Sequence, residues 1–569
     1  MHDFFRKINK SFVEKRNPYL DADVMMNSLS SAFESVMKHP HKREKAQKDF
    51  EKTCQALTQH FLDRMSGKDG IEVPFAPQSK DRRFQSEQWG NLYFDLMKQS
   101  YLGFSEWFAN TMKEGGEYKE YAEQKQIEFF TRQIIDSLSP SNFPHLNPEV
   151  VQETWKTGGA SLMKGVATMI DDMQNGLDPA MTDMSHFKLG ENIATTPGSV
   201  IFENDLIQLI QYEPSTDKVF KKPLLIIPPW INKYYVFDLT EENSMVRWLR
   251  DQGHTVFIIS WVNPDETHRT KRFENYAIDG ALAAIDVAKS VTSEKSVNVI
   301  GYCLGGTLLS CLAAYLAEKK RDDIASITLM ATLTDFRNAG DLTTFMTEDY
   351  IRRIEEMMSE KGYLSGQTMA KTFNMLRSND LYWSYIINNY LMGRDPIPFD
   401  FLYWNSDNTG MPEALHKNLL RNFYKENQLT HPGRFKIFGV GVDLSKITVP
   451  IYMISTFDDH ITPWDATYAG TRLFPKENLT FVLGGSGHVA GIINHPNKNK
   501  YWYKTNPNLK DNPQEWEKSS EKHYGTWWLH WSQWVKNFGT TKVSAREVGN
   551  AAFQPTEKAP GAYARKKCK

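Results

Sequence analysis

VNVIGYCLGG, residues 297–306, sets a G-x-C-x-G turn between an apolar run and TLLSCLAAYLAEKK (307–320). The β-branched residues ahead of the turn predict a strand, and the Leu- and Ala-rich run after it predicts a helix. A sharp strand-to-helix turn with a nucleophile at its apex is a nucleophile elbow, here with cysteine where serine is usual. Gly301 and Gly305 suit it because a side chain at either would collide with the neighbouring strand or helix. The apex also lies at a helix N-terminus, whose positive dipole end favours a thiolate. There the Leu304 N–H can point into an oxyanion hole. A free cysteine is most often a small buried hydrophobe. It is the strand-turn-helix setting that makes Cys303 the candidate nucleophile.

Working outward, SVIFEN (199–204), LIQLIQY (206–212), LLIIPP (224–229), HTVFIIS (254–260), SITLMAT (326–332), PIYMIST (450–456) and NLTFVLGG (478–485) all predict strands, with a helix near 275–290. Strands alternating with helices indicate a mostly parallel sheet covered on both faces. With the elbow, the expectation is an α/β-hydrolase fold over 196–569. From about 335 to 440 the alternation stops in a helical stretch rich in Met, Phe and Tyr. It is expected as a cap inserted into the sheet fold. Residues 1–195 predict a mainly helical domain, with apolar spacing through Leu57, Phe61 and Met65 and through Phe129, Ile134 and Leu138. Residues beyond about 540 lose periodicity and predict a solvated tail.

The fold places the catalytic acid and histidine after the nucleophile, past late strands. PIYMIST leads into Phe457-Asp458-Asp459-His460, and NLTFVLGG into Ser486-Gly487-His488. His488, in a Gly-rich loop just past a strand, is the candidate base, with His460 the competing histidine. The acid is Asp459 or Asp458. The second oxyanion donor is expected beyond Pro228 and Pro229, which have no N–H, at Ile231 or its neighbours Trp230 and Asn232.

The 569 residues carry a formal net charge of −2, which gives no electrostatic argument for a nucleic-acid partner. Four cysteines (Cys54, Cys303, Cys311, Cys568), none in C-x-x-C spacing, argue against a disulfide framework or a zinc site and for a reducing cytoplasm. No run approaches the roughly 20 apolar residues of a membrane span, and charges interrupt the N-terminus too early for a signal segment. Phe4, Phe5, Ile8 and Phe12 form a mildly amphipathic face with basic neighbours. Trp527, Trp531 and Trp534 share one helix face, for which core packing is the expectation.

At these residues the chain resembles the polyhydroxyalkanoate synthases of the long single-subunit type. The family's lipase-like box appears as Gly301–Gly306, its PP-x-INKYY segment as Pro228–Tyr235, its D-H-I-x-P-W segment as Asp459–Trp464 and its S-G-H-x-A-G segment as Ser486–Gly491. SWVNPD (260–265), NDLYWSYIINNYL (379–391), FDFLYWNSD (399–407), WWLHWSQW (527–534) and RQIIDSLSPSNFPHLNPE (132–149) extend the likeness over nearly the whole chain.

The resemblance implies a Cys303–His488–Asp459 triad, which selects the second aspartate. It implies polymerisation of (R)-3-hydroxyacyl groups with release of coenzyme A, and no cofactor or metal. It further implies a homodimer at the surface of a cytoplasmic polyester granule. Cysteine suits that chemistry: thioester to acyl-cysteine is nearly thermoneutral, and the later attack of a hydroxyl runs downhill. The aromatic cap would exclude water, with Trp383 and His460 as candidate pocket residues. Two rival readings are a cysteine thioesterase or depolymerase on the same fold, and a non-catalytic granule coat. The coat would need neither elbow nor triad.

Overall fold

The computed structural model describes residues 22–68, 71–78, 81–116, 118, 120–175 and 178–567. The amphipathic face at Phe4–Phe12 and Cys568 lie outside them. The chain forms two compact units.

The first unit comprises the chain up to Asp183 with Thr343–Tyr350 and Lys371–Ile397. Helices Ala22–Lys38, Pro40–Met65, Leu92–Gly115 and Tyr121–Ser137 pack on one another, followed by Pro148–Lys156 and Ala160–Asn175. Their starts are encoded locally. The Asn91 side chain accepts the Tyr93 N–H, and Asn147 accepts those of Glu149 and Val150 with Pro148 at the first helical position. Asp136 joins two distant stretches of this unit: Ser378 Oγ and Asn379 Nδ2 each donate to it at 2.8 Å. The periodicity at Leu57, Phe61 and Met65 gives the helix but not its whole inner face. Leu57 is buried, whereas Met65 is exposed and His60 takes an inward place. His60 lies inside because its ring meets the buried Asp95 carboxylate at 2.7 Å.

The second unit comprises Met184–Leu342, Ile351–Ala370 and Pro398 onward. The aromatic-rich stretch 335–440 is thus divided between the two units. The second unit is built on one eleven-stranded sheet. Its strands are β1 (Gly198–Glu203), β2 (Ile207–Tyr212), β3 (Leu224–Ile227), β4 (Val256–Trp261), β5 (Val297–Tyr302), β6 (Ile324–Met330), β7 (Ile451–Thr456), β8 (Leu479–Gly484), β9 (Trp502–Thr505), β10 (Glu521–Tyr524) and β11 (Glu557–Lys558). The spatial order is β10-β9-β8-β7-β6-β5-β3-β4-β2-β1-β11. The six central strands, β8 to β4 in that order, are parallel, and antiparallel strands extend both edges. Every residue of β3, β4, β5 and β7 is buried, as continuous apolar strands covered on both faces require.

The sequence pattern finds β1 to β8 but not the edge strands. WYKT (502–505) is half-buried and EKHY (521–524) mostly exposed, so neither carries an apolar run to read. The solvated tail is corrected. Lys542–Ser544 pairs with Lys218–Phe220, β11 joins the sheet edge and a short helix spans Gly561–Arg565. These residues are held by backbone pairing and single polar anchors, which leave no periodic signal. Helix Trp527–Lys536 meets its expectation at two of the three tryptophans. Trp527 and Trp531 are buried, as is Trp528, whereas Trp534 is half-buried, and the Trp531 indole N–H donates to Thr328 Oγ1 on β6 at 2.8 Å.

Candidate active site

All parallel strands end on one edge of the sheet, so loops leaving them converge there. β5 turns into helix Leu304–Glu318 through Cys303, held at φ 52° and ψ −122°. A positive φ at a non-glycine residue costs on the order of 1–3 kcal/mol and persists only where the surroundings impose it. Here they do. The Cys303 N–H donates to Met330 O at 2.9 Å, and its carbonyl accepts from Gly306 and Thr307 at 2.9 and 3.1 Å. Close approach explains the two glycines. A Cβ on Gly301 would come within 2.5 Å of Gly306 Cα, and one on Gly305 would overlap the Ile227 carbonyl oxygen.

β7 leads to Asp459 and fixes its carboxylate. Oδ1 accepts the N–H groups of Ile461 and Thr462 at 2.9 and 2.8 Å, and Oδ2 accepts the hydroxyls of Thr462 and Thr456 at 2.8 and 3.2 Å. β8 leads through Ser486, at φ 74°, to His488. His488 Nδ1 donates to Asp459 Oδ2 at 2.7 Å, a tautomer that follows from a carboxylate having nothing to donate. The Cys303 side chain lies near enough to the His488 ring to act on its charge. Nδ1 being taken, Nε2 is the nitrogen left for the sulfur. Asp458 uses its N–H elsewhere, donating to Ser486 O at 2.9 Å.

Both ionisable partners are buried, and burial alone would oppose their charges. For His488 the burial penalty is outweighed by the charges of Asp459 and Cys303 and by the Asp459 hydrogen bond, which raise the ring to about 10. For Asp459 burial pushes the carboxyl up, but His488 and Thr462 overcome it and hold the group below its ordinary value. The histidine loop is secured from behind. The Trp527 and Trp528 indoles donate to Gly491 O and Ile492 O at 3.1 and 2.8 Å, and Tyr302 Oη donates to His488 O at 3.1 Å.

The structure therefore brings together Cys303, His488 and Asp459, from three separate stretches. Among the described residues, no acceptor takes the N–H of Leu304, at the head of the elbow helix, or that of Ile231, beyond β3. His460 follows Asp459, and its carbonyl accepts the Asp341 N–H at 3.1 Å. Trp383 belongs to the first unit, in the turn Asn379–Trp383, edge-on to Tyr382. Sequence reasoning missed Thr456, Thr462, Tyr302 and Tyr424. Thr462 carried a signal, since an aspartate accepting N–H groups two and three residues on is a common turn device. Tyr424 carried none. Its hydroxyl is pushed up by burial and by the charge of the Cys303 sulfur, and its ring stands edge-on to Phe336 at 5.0 Å. Cys311 is buried inside the elbow helix, and burial pushes its thiol up, as suits an inert core cysteine. Among the described residues no cluster of His, Cys, Asp and Glu is arranged to hold a metal.

A mostly parallel sheet carrying a strained cysteine at a strand-helix turn, with histidine and aspartate after later strands, defines an α/β-hydrolase-fold protein. A family model for the alpha/beta hydrolase fold matches residues 222–494, and one for the poly-beta-hydroxybutyrate polymerase (PhaC) N-terminus matches residues 80–249. The chain is 43% identical to a poly(3-hydroxyalkanoate) polymerase subunit PhaC of Rhizobium meliloti, over 95% of this chain and 88% of that one. It is 43% identical to a poly(3-hydroxyalkanoate) polymerase of Methylorubrum extorquens (96% and 91%), and 40% identical to the PhaC subunit of Cupriavidus necator (86% and 83%). The chain belongs to the poly(3-hydroxyalkanoate) polymerases, a family of acyltransferases.

Proposed function

We propose that this acyltransferase polymerises (R)-3-hydroxyacyl groups from coenzyme A thioesters, with Cys303 carrying the acyl group between steps. The observation behind the reading is the meeting of the Cys303 side chain with an imidazole already fixed to Asp459. The Cys303 sulfur gives its proton to His488 and attacks the thioester carbonyl. The N–H groups of Leu304 and Ile231 hold the resulting oxyanion. Collapse breaks the bond to the coenzyme A sulfur, which leaves with the proton from His488. A chain-end hydroxyl then gives its proton to His488 and attacks the acyl-cysteine, forming the ester and releasing the Cys303 sulfur, which takes that proton back from His488. Asp459 keeps Nδ1 protonated and the ring in register throughout.

On the same reading His460 contributes to the substrate pocket, and no cofactor takes part beyond the coenzyme A of the substrate. The partners are the growing polyester, its granule surface in the cytoplasm and a second copy of the chain. No helix among the described residues is long and apolar enough to cross a membrane.

The test is incubation with 3-hydroxyacyl-CoA substrates of graded length. Released coenzyme A with insoluble polymer is expected. Release of free hydroxy acid without polymer would show a thioesterase instead.

A further inference from the structure

Lys233 is a buried cation that the chemistry above does not use: it is 3% exposed. It lies two residues beyond Ile231, on the loop that follows β3. Its ammonium reaches the far end of the chain, where Nζ donates to Tyr563 O at 3.0 Å and to Lys566 O at 2.7 Å. Its own carbonyl accepts the Trp404 indole N–H at 2.7 Å. The loop is tied again one step earlier, where Ile231 O accepts the Thr409 N–H at 3.3 Å and Trp230 O accepts the Thr409 hydroxyl at 2.5 Å.

The C-terminal segment is itself anchored to the sheet. Tyr563 Oη donates to Asn204 O at 2.6 Å and the Tyr563 N–H to Gln208 Oε1 at 3.0 Å. Asn263 Nδ2 donates to Lys566 O at 3.3 Å, and Lys566 Nζ pairs with Asp265 at 3.3 Å. An ammonium out of water needs its acceptors, because an uncompensated buried charge is strongly unfavourable. Were the carbonyls of Tyr563 and Lys566 withdrawn, the ammonium would lose two acceptors while keeping the neighbouring Asp407 carboxylate as a counter-charge, and its side chain would shift. The chain carrying Ile231 would move with it.

We propose that Lys233 is a positioning residue, through which the C-terminal segment Gly561–Lys566 sets the loop that presents the Ile231 N–H. The inference rests on the reading of that N–H as an oxyanion donor. The chain end then governs the rate of acyl transfer without touching substrate, because a donor displaced by about 1 Å can cost on the order of 100-fold in rate.

Three variants test it. Lys233→Met removes the charge and keeps the aliphatic stem, a chain ending at Pro560 removes the carbonyls, and the third combines both. Coenzyme A release in the first turnover, kcat, KM, thermal melting and acyl labelling of Cys303 are measured on each. Each single variant is expected to lose on the order of 10- to 100-fold in kcat with KM within about threefold. The combined variant is expected to be no slower than the slower single one, because both break one linkage. A folded Lys233→Met chain turning over at the parental rate overturns the proposal, and so does a combined loss equal to the product of the two. If the shortened chain does not fold, Lys233→Met decides by the same criterion. Failure of the parent chain to label at Cys303 would instead sink the acyl-cysteine reading itself.

Discussion

At the carboxyl edge of the sheet, polar atoms are fixed by partners from several stretches. Asp459 alone accepts from Ile461, Thr462, Thr456 and His488. On helix Ala160–Asn175 of the first unit the opposite holds. Met163, Val166, Ile170 and Met173 recur at helical spacing and stand exposed, Met163 at 74%. Both regions depart from what a stable core needs. The first keeps a cysteine in a strained backbone conformation and two charged groups out of water. The second leaves apolar surface in water. They differ in how far a single atom matters. At the sheet edge one lost hydrogen bond uncovers a buried charge, whereas on the helix one lost methyl group changes little.

That contrast is most exposed to failure at the sulfur. Cys303→Ala should abolish acyl labelling and polymer together, with a rate loss on the order of 10⁴-fold or more. Coenzyme A release by the variant, followed against the parent chain, checks it. Substantial residual turnover would move the chemistry elsewhere and dissolve the comparison.

Next in size is Asp459→Asn, for which a kcat loss on the order of 10²- to 10⁴-fold is expected, because an amide no longer holds Nδ1 protonated. The same substitution has a signature in stability. His488 is raised from 6.5 to about 10 in the folded chain, so its contribution is complete below about pH 6.5 and is lost as the pH climbs toward 10. Asp459 is lowered from 3.8, so its share is present above that value and is lost as the solution is acidified below it. Urea midpoints measured from pH 7 to 10.5 should therefore fall less steeply in Asp459→Asn than in the parent chain. Parallel slopes would show that the pair does not couple as described.

The support behind the histidine is the third test. Trp528→Phe leaves the buried Ile492 carbonyl without its indole partner and opens space beside Trp248. A destabilisation of about 2 kcal/mol is expected, with a several-fold loss in kcat as the histidine loop relaxes. Thermal melting with steady-state kinetics reads both, and a loss of stability with no change in kcat would make the tryptophan helix a scaffold only.

What was legible in the sequence follows the same division. Cys303, His488 and the aspartate after β7 were readable because a sharp turn and Gly-rich loops impose residue types at fixed places in the chain. The choice between Asp458 and Asp459 came only through the family resemblance, since adjacent carboxylates look alike until one meets an imidazole. Strands β1 to β8 announced themselves by buried apolar runs. β9, β10 and β11 did not, because edge strands keep polar side chains on a wet face. The C-terminal segment was read as solvated because its order rests on Tyr563, Lys566 and Lys233, whose meeting is a property of the fold and not of any local pattern. The division of 335–440 between two units was hidden for a like reason. Asp136 binds Ser378 and Asn379 across 242 and 243 positions of sequence.

The smallest expected effect lies on the exposed helix. Met163→Ser removes a side chain with little to lose on folding, so stability should change by no more than about 0.5 kcal/mol. Initial coenzyme A release should match that of the parent chain. The neighbouring Gly165 gives the sharper contrast within the same helix. A Cβ there would overlap the Tyr390 carbonyl oxygen, so Gly165→Ala must push apart helix Ala160–Asn175 and the turn Ile386–Leu391. A loss of about 1–3 kcal/mol is expected for overpacking at such a contact. Melting the two variants side by side tests the claim that this region is sensitive only where backbone meets backbone. If Met163→Ser proved the more damaging, the exposed stripe would be covered in the working protein, and the difference between the two regions would vanish.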